Sequence, residues 1–183
     1  MVLSPLSAAR WRRRLRSFAA LALLTALALA VWSGMPATVA TVPLADVIDG
    51  DSLRVRRDGA MLTLRLAGID AVEYRQPCAT GTPDEWACGH AARTALERLV
   101  GAGPLHCELG ARDAYRRTLA TCRTHPFPDG SDLGAEMVRL GWAVSIDDHY
   151  AIEQAEAETG RRGIWRTPFT PPAEWRAAQA ETP

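Results

Sequence analysis

The stretch VIDGDSLRVRRDGAMLTLRLAGIDAVE, Val47 to Glu73, decides the fold. Leu53 and Val55 alternate with Arg54 and Arg56, and Leu62, Leu64 and Leu66 alternate with Thr63 and Arg65. A period of two puts the apolar side chains on one side, so each run predicts a half-buried strand. Asp58-Gly59 between them is the dipeptide of a tight hairpin turn. The same stretch carries Asp51, Arg65, Asp70 and Glu73, at successive separations of 14, 5 and 3 residues. All three acids fall at strand ends or in the loops that follow, where a rigid scaffold commonly carries a site.

Strand ends have no structural need for gathered carboxylates. Acids brought together raise one another's pKa unless a cation sits among them. Oxygen ligands suit a hard cation such as calcium or magnesium, and an arginine beside them suits a phosphate. An ordinary acidic turn at Asp49-Gly50-Asp51 with a solvated Arg65 fits the same spacing.

On the N-terminal side, Leu44–Asp49 predicts a first strand. Residues 1–40 predict a targeting segment. Arg10, Arg12, Arg13, Arg14 and Arg16 precede an apolar run from Phe18 to Trp32, followed by Ser33, Gly34 and Pro36 and a cleavage position after Ala40. The run is short for a membrane span and suits a signal peptide or an uncleaved anchor. Either way the domain is expected to be exported, periplasmic or secreted. All 21 basic residues are arginine, five of them in the first 40 residues, which hold no acid. The remainder has sixteen arginines against 21 acids, a net charge of −5. Such a domain has no overall attraction for nucleic acid, so phosphate binding would need a local arginine patch or a metal.

On the C-terminal side, Tyr74–Gly89 reads as a loop, punctuated by Pro77, Gly81 and Pro83. Ala92, Ala95, Leu96 and Leu99 recur with helical spacing, and Gly101 and Gly103 end that helix. Leu105–Leu109 and Tyr115–Arg123 predict two more strands. Asp132–Leu140 predicts a short helix, with Ser131 or Asp132 as its cap and Leu133, Met137 and Leu140 inward. Trp142–Val144 reads as a brief extended piece and Tyr150–Thr159 as a third helix. Gly163-Ile164-Trp165 closes the domain. The expected organisation is a targeting segment at 1–40, a domain at 41–167 and a Pro-containing tail at 168–183, lying along the surface. Three strands, a helix, two strands and then helices is the order of an α+β fold, a five-stranded OB-fold β-barrel with three helices.

Cys78, Cys88, Cys107 and Cys122 are an even set, which in an exported chain suggests disulfides. Cys78 and Cys88 flank one loop, and Cys107 and Cys122 lie on consecutive predicted strands, so 78–88 and 107–122 are the expected pairs. A zinc site competes with this reading, but the four histidines are scattered and no tight C-x-x-C pair occurs.

Three separated motifs carry a resemblance: IDGDS (Ile48–Ser52), RLAGIDAVE (Arg65–Glu73) and DAYRR (Asp113–Arg117). In this order and at these distances they resemble the thermonuclease (staphylococcal nuclease-like) family, over roughly Ala45 to Trp165. The resemblance implies the OB-fold and a Ca²⁺-dependent nuclease, acting as a monomer on DNA or RNA by cleavage of the 5′-side P–O bond to give 3′-phosphates. It implies Asp51, Asp70 and the Ala71 carbonyl as metal ligands, Glu73 as general base, and Arg65 and Arg117 as stabilisers of transition-state charge. It also implies that Tyr115 contacts the nucleotide; Arg116, a departure from the family pattern, is expected to meet the substrate in place of the lysine missing at Ala114. Four positions depart from the family pattern: Val72 (commonly proline), Ala114 (often lysine), Arg116 (commonly glycine) and Asp147, near which a base-stacking tyrosine is often found. An inactive OB module that binds nucleic acid or protein is the alternative, and a structural calcium site is a further one. Membrane contact is expected only through an uncleaved N-terminal segment.

Overall fold

The computed structural model describes residues 17–25, 38–79 and 81–180. Residues 17–25 are helical, and most of the expected targeting segment lies outside the described residues. No helix among the described residues is long and apolar enough to cross a membrane. The compact domain begins at Thr38.

The domain opens with β1 (Thr38–Val42) and β2 (Leu44–Val47), followed by β3 (Ser52–Arg57), β4 (Ala60–Leu66) and β5 (Ile69–Ala71). After α1 (Cys88–Val100) come β6 (Leu105–Arg112) and β7 (Thr118–Arg123). Then follow α2 (Leu133–Arg139), β8 (Ala143–Ser145), α3 (Ala151–Thr159), a 3-10 turn (Gly163–Arg166) and α4 (Pro172–Ala180). The main sheet runs β1-β6-β7-β4-β3-β2, with β4 and β7 parallel and the other neighbours antiparallel. Its two edges, β1 and β2, are consecutive pieces of one chain segment parted only by Pro43. The ladder therefore returns to its own start, as in an OB-fold barrel of five strands. Pro43 has no N–H for a ladder, which explains the break; its carbonyl accepts from Arg56 N at 2.9 Å. β5 and β8 form a separate two-stranded sheet.

Alternation places Leu53, Val55, Leu64, Leu66, Leu105, Cys107, Ala120 and Cys122 in the core, and α1 adds Ala92, Leu96 and Val100 to the same cluster. The β3–β4 hairpin turns on Asp58-Gly59, both at positive φ (50° and 78°), as a two-residue primed turn requires. Both expected disulfides are present, Cys78–Cys88 and Cys107–Cys122, and among the described residues no cysteine is free. The second joins directly paired residues of β6 and β7.

Several boundaries differ from expectation. A strand, β1, precedes the expected first one, and it contains Ala40 paired with Cys107, so the expected cut after Ala40 would fall inside a ladder. β6 runs on to Arg112 and β7 starts at Thr118, which puts Tyr115 in the turn between them rather than on a strand. Asp132 is the α2 cap, accepting from Gly134 N and Ala135 N, while Leu140 lies past the helix end and is exposed. The tail forms a further helix, α4. Proline at the first helical position loses no hydrogen bond, so Pro172 starts α4 and does not prevent it.

Candidate active site

Asp51 sits in the loop between β2 and β3. Its backbone N donates to Asp49 Oδ1 at 3.0 Å, and Ile48 N donates to Ser52 O at 2.9 Å, so the turn is closed by its own polar groups. Gly50 is required by crowding: a Cβ there would lie 2.7 Å from Ala71 Cβ and 3.1 Å from Ala92 Cβ. The turn is thus pressed against β5 and α1, and Asp51 is left 2% exposed. Its Oδ2 accepts from Ala71 N at 2.9 Å and its Oδ1 from Ser52 Oγ at 2.8 Å.

Arg65, near the end of β4, spans the two buried acids. It donates to Asp51 Oδ1 at 2.5 Å and to Asp70 Oδ1 at 2.7 Å. Burial pushes the Asp51 carboxyl up to about 7 even though Arg65 pulls it down, and the neighbouring Asp49 charge adds to the rise. Burial works against the charge on Arg65 too, but Asp51 and Asp70 outweigh it and hold the guanidinium above its ordinary value.

Glu73 follows β5 in a loop fastened at three points. Gln76, 1% exposed, accepts from Glu73 N at 3.1 Å through its Oε1 and donates from Nε2 to Thr170 O at 2.7 Å. The Cys78–Cys88 disulfide ties the same loop to the start of α1. Gly89 lets that helix come close, since a Cβ there would lie 1.8 Å from Glu73 O.

Arg117 and Tyr115 come from the β6–β7 turn. Asp113 organises it: Oδ1 accepts from the backbone N of Tyr115 and of Arg117, both at 2.9 Å, and Oδ2 accepts from Arg117 Nε at 2.8 Å. Slight desolvation of Asp113 works the other way, but the hydrogen bonds from Arg117 hold its carboxyl below the ordinary range. Arg65, Glu73, Tyr115 and Arg117 line one pocket of about 480 Å³. Asp51 and Asp70 stand behind it, against Arg65. The expected acids Asp51, Asp70 and Glu73 and the residues Arg65, Tyr115 and Arg117 therefore come together, while Arg116 is exposed in the turn and not part of the pocket lining. Asp147 and Asp148 also lie outside it, in an exposed turn at positive φ. Nearby Tyr150 is turned inward, with its hydroxyl donating to Asp132 Oδ1 at 3.2 Å. A larger cleft of about 720 Å³ beside α1, lined by Trp86, His90, Trp142 and Arg166 among others, contains no carboxylate.

One residue of the pocket has no counterpart in the sequence reading. Arg176, on α4, donates to Asp70 Oδ1 and Oδ2 and to Glu73 Oε1, each at 2.9 Å. The bonds to Asp70, then the one to Glu73, raise its pKa above the ordinary arginine value despite partial burial. Gln76 is a second such residue. Arg176 meets Asp70 across 106 residues and Gln76 meets Thr170 across 94, separations out of reach of any local pattern, although the bond of Gln76 with Glu73 N is local.

Among the described residues no three His, Cys, Asp or Glu side chains form a ready-made metal cage. The donors still suit a hard cation. Asp51 Oδ2 and Asp70 Oδ2 each accept one hydrogen bond, and a carboxylate oxygen has two lone pairs. Asp51 is also a buried acid whose charge is incompletely offset. Two carboxylates with carbonyl and water oxygens are the ligand types that calcium takes.

The family model for the staphylococcal nuclease homologue matches residues 63–167, which include Arg65, Asp70, Glu73, Tyr115 and Arg117. The chain belongs to the staphylococcal nuclease homologue family. Asp51 and Arg176 lie outside the matched span. Protein ParB of Escherichia coli is 32% identical over 177 residues, 88% of this chain and 90% of that protein. Succinoglycan biosynthesis protein ExoI of Rhizobium meliloti is 32% identical over 127 residues, 67% of this chain and 63% of that protein. Probable endonuclease LCL3 of Schizophyllum commune is 31% identical over 138 residues, 64% of this chain. The aligned region spans less than half of LCL3, 46% of its length. The relatives this chain is similar to thus include one named as an endonuclease and one named for a biosynthetic role.

Proposed function

We propose that this protein is an exported, calcium-dependent nuclease that hydrolyses phosphodiester bonds of DNA or RNA, cutting the 5′-side P–O bond and leaving 3′-phosphates. The observation that carries this reading is the convergence of Arg65, Glu73 and Arg117 on one pocket backed by Asp51 and Asp70. Asp51, Asp70 and the Ala71 carbonyl would hold the calcium ion. Bound there, calcium supplies a Lewis acid for a non-bridging phosphate oxygen.

Glu73 orients the attacking water and takes its proton as general base. The water oxygen bonds to phosphorus, the P–O5′ bond breaks, and the leaving oxygen is protonated from solvent. Arg65 and Arg117 hold the charge that grows on the phosphorus oxygens. Each is already fixed by an acid, Asp51 and Asp70 for the first and Asp113 for the second, so little reorganisation is needed as that charge develops. Tyr115, 80% exposed, offers a ring face to the nucleotide. Arg116 lies further out and supplies long-range attraction only. The apolar run at 18–32 and the two disulfides support export to an oxidising compartment.

The test is digestion of DNA and of RNA by the purified protein in calcium, in magnesium and in excess chelator. Cutting is expected in calcium, weakly in magnesium, and not with chelator. Full activity in chelator would remove the metal assignment. Calcium-dependent binding without cutting would replace the enzyme by a binding module.

A further inference from the structure

We propose that Arg176 is a third phosphate-binding arginine, contributed by α4 from beyond the matched span. This rests on the nuclease reading for the identity of the ligand, a single-stranded phosphodiester, but not on hydrolysis.

Arg176 lines the same pocket as Arg65, Glu73, Tyr115 and Arg117. Its three bonds to Asp70 and Glu73 use three of the five N–H donors of a guanidinium, and its side chain is 42% exposed. Two donors remain for an acceptor entering the pocket. Arg65 and Arg117 are built alike, each tethered to acids with part of the fork left over. Three guanidiniums and one carboxylate, Glu73, line the pocket, while Asp51, Asp70 and Asp113, which tether those guanidiniums, are not in its lining. Tethering also lowers the entropy lost when a phosphate is gripped, because the side chains are already held.

The helix is placed for this task more than for stability. Of its residues only Pro172 is buried. The segment leading to it is pinned to the Glu73–Ala87 loop: Thr170 O accepts from Gln76, Pro168 O accepts from Ala79 N at 2.8 Å, and Thr167 Oγ1 accepts from Trp86 Nε1 at 3.1 Å. Bound calcium would compete for Asp70 and free further donors of Arg176, while its bond to Glu73 keeps it at the pocket.

The experiment measures binding of a short single-stranded oligodeoxynucleotide with phosphorothioate linkages, in calcium, by full-length wild-type, Arg176→Ala and Arg176→Lys proteins over a range of salt. Loss of a charge-assisted contact is expected to weaken binding about ten- to a hundredfold in Arg176→Ala. The slope of log K against log salt should become shallower by about 0.7, one phosphate contact on a single strand. Arg176→Lys keeps the charge but loses the fork, and should restore the slope and part of the affinity. Calcium affinity is measured on the same three proteins. An unchanged slope in Arg176→Ala would overturn the proposal, and so would tighter calcium binding with unchanged oligonucleotide affinity, which would make Arg176 only a competitor for Asp70. If the wild type cuts nothing yet shows the Arg176-dependent slope, the phosphate contact stands and hydrolysis falls. If it cuts and Arg176→Ala binds as the wild type does, hydrolysis stands and the contact falls.

Discussion

At the scale of single residues, Arg65 has two tasks that pull apart in a mutagenesis experiment. It is the countercharge of two buried acids as well as a proposed phosphate ligand. Arg65→Ala leaves Asp51 and Asp70 without their shared partner, and breaking such a pair costs about 3–5 kcal/mol. Denaturant unfolding of the metal-free variant should show that loss, and calcium should recover part of it. Arg117→Ala leaves only the more accessible Asp113 and is expected to unfold within about 1 kcal/mol of the wild type. Gln76→Leu removes a buried amide that serves Glu73 N and Thr170 O; both groups are within reach of water once freed, so the cost is about 1 kcal/mol for each bond lost. It should also slow turnover by loosening the Glu73 loop, whereas a merely packing role for Gln76 would leave the rate of the folded fraction unchanged. Asp51, Arg65, Asp70, Glu73 and Arg117 were legible because three motifs carry them in order. Arg176 was not, because its partners lie about a hundred residues away in sequence, and Gln76 was not, because its nearby bond to Glu73 N lies in no motif and its other partner, Thr170, is as distant.

At the scale of elements, the β6–β7 turn shows why a family pattern has a backbone cause. Arg116 adopts φ 67°, in the left-handed region that favours glycine, the residue the family commonly has there. The strain on a side chain in that region is about 1–2 kcal/mol, and glycine gives back about 0.4–1 kcal/mol through its looser unfolded state. Arg116→Gly should therefore stabilise the domain by up to about 1 kcal/mol in urea unfolding and leave turnover at saturating substrate unchanged. Destabilisation would mean that Arg116 makes a contact the turn geometry does not show. The alternating strands and α1 were legible from periodicity. β1 was not, since Thr38–Val42 directly follows the small residues of a targeting pattern, and α4 was hidden by prolines that mark its start and not its absence.

At the scale of the whole molecule, two disulfides brace a barrel that ends where it begins. Cys107–Cys122 closes a separation of 15 residues, and such a loop contributes roughly 3 kcal/mol. Replacing both cysteines by serine should lower stability by about that much, while thiol titration of denatured, unreduced protein should read near zero. Replacing Cys78 and Cys88 should reduce turnover more than its effect on unfolding accounts for, since that bridge ties the Glu73 loop to α1. The charge of the whole domain, net acidic beyond residue 40, pointed to a local arginine patch or a metal for phosphate binding but not to its place; the fold gathers the lining arginines from β4, the β6–β7 turn and α4. The central claim is that this pocket hydrolyses phosphodiesters with Glu73 as the base. Its most direct test is turnover of Glu73→Gln at saturating substrate in calcium, beside wild type and Arg56→Ala, an exposed arginine on β3 away from the pocket. A fall of about a hundred- to ten-thousandfold in Glu73→Gln, with Arg56→Ala close to wild type, is the predicted result; equal turnover in all three proteins would contradict it.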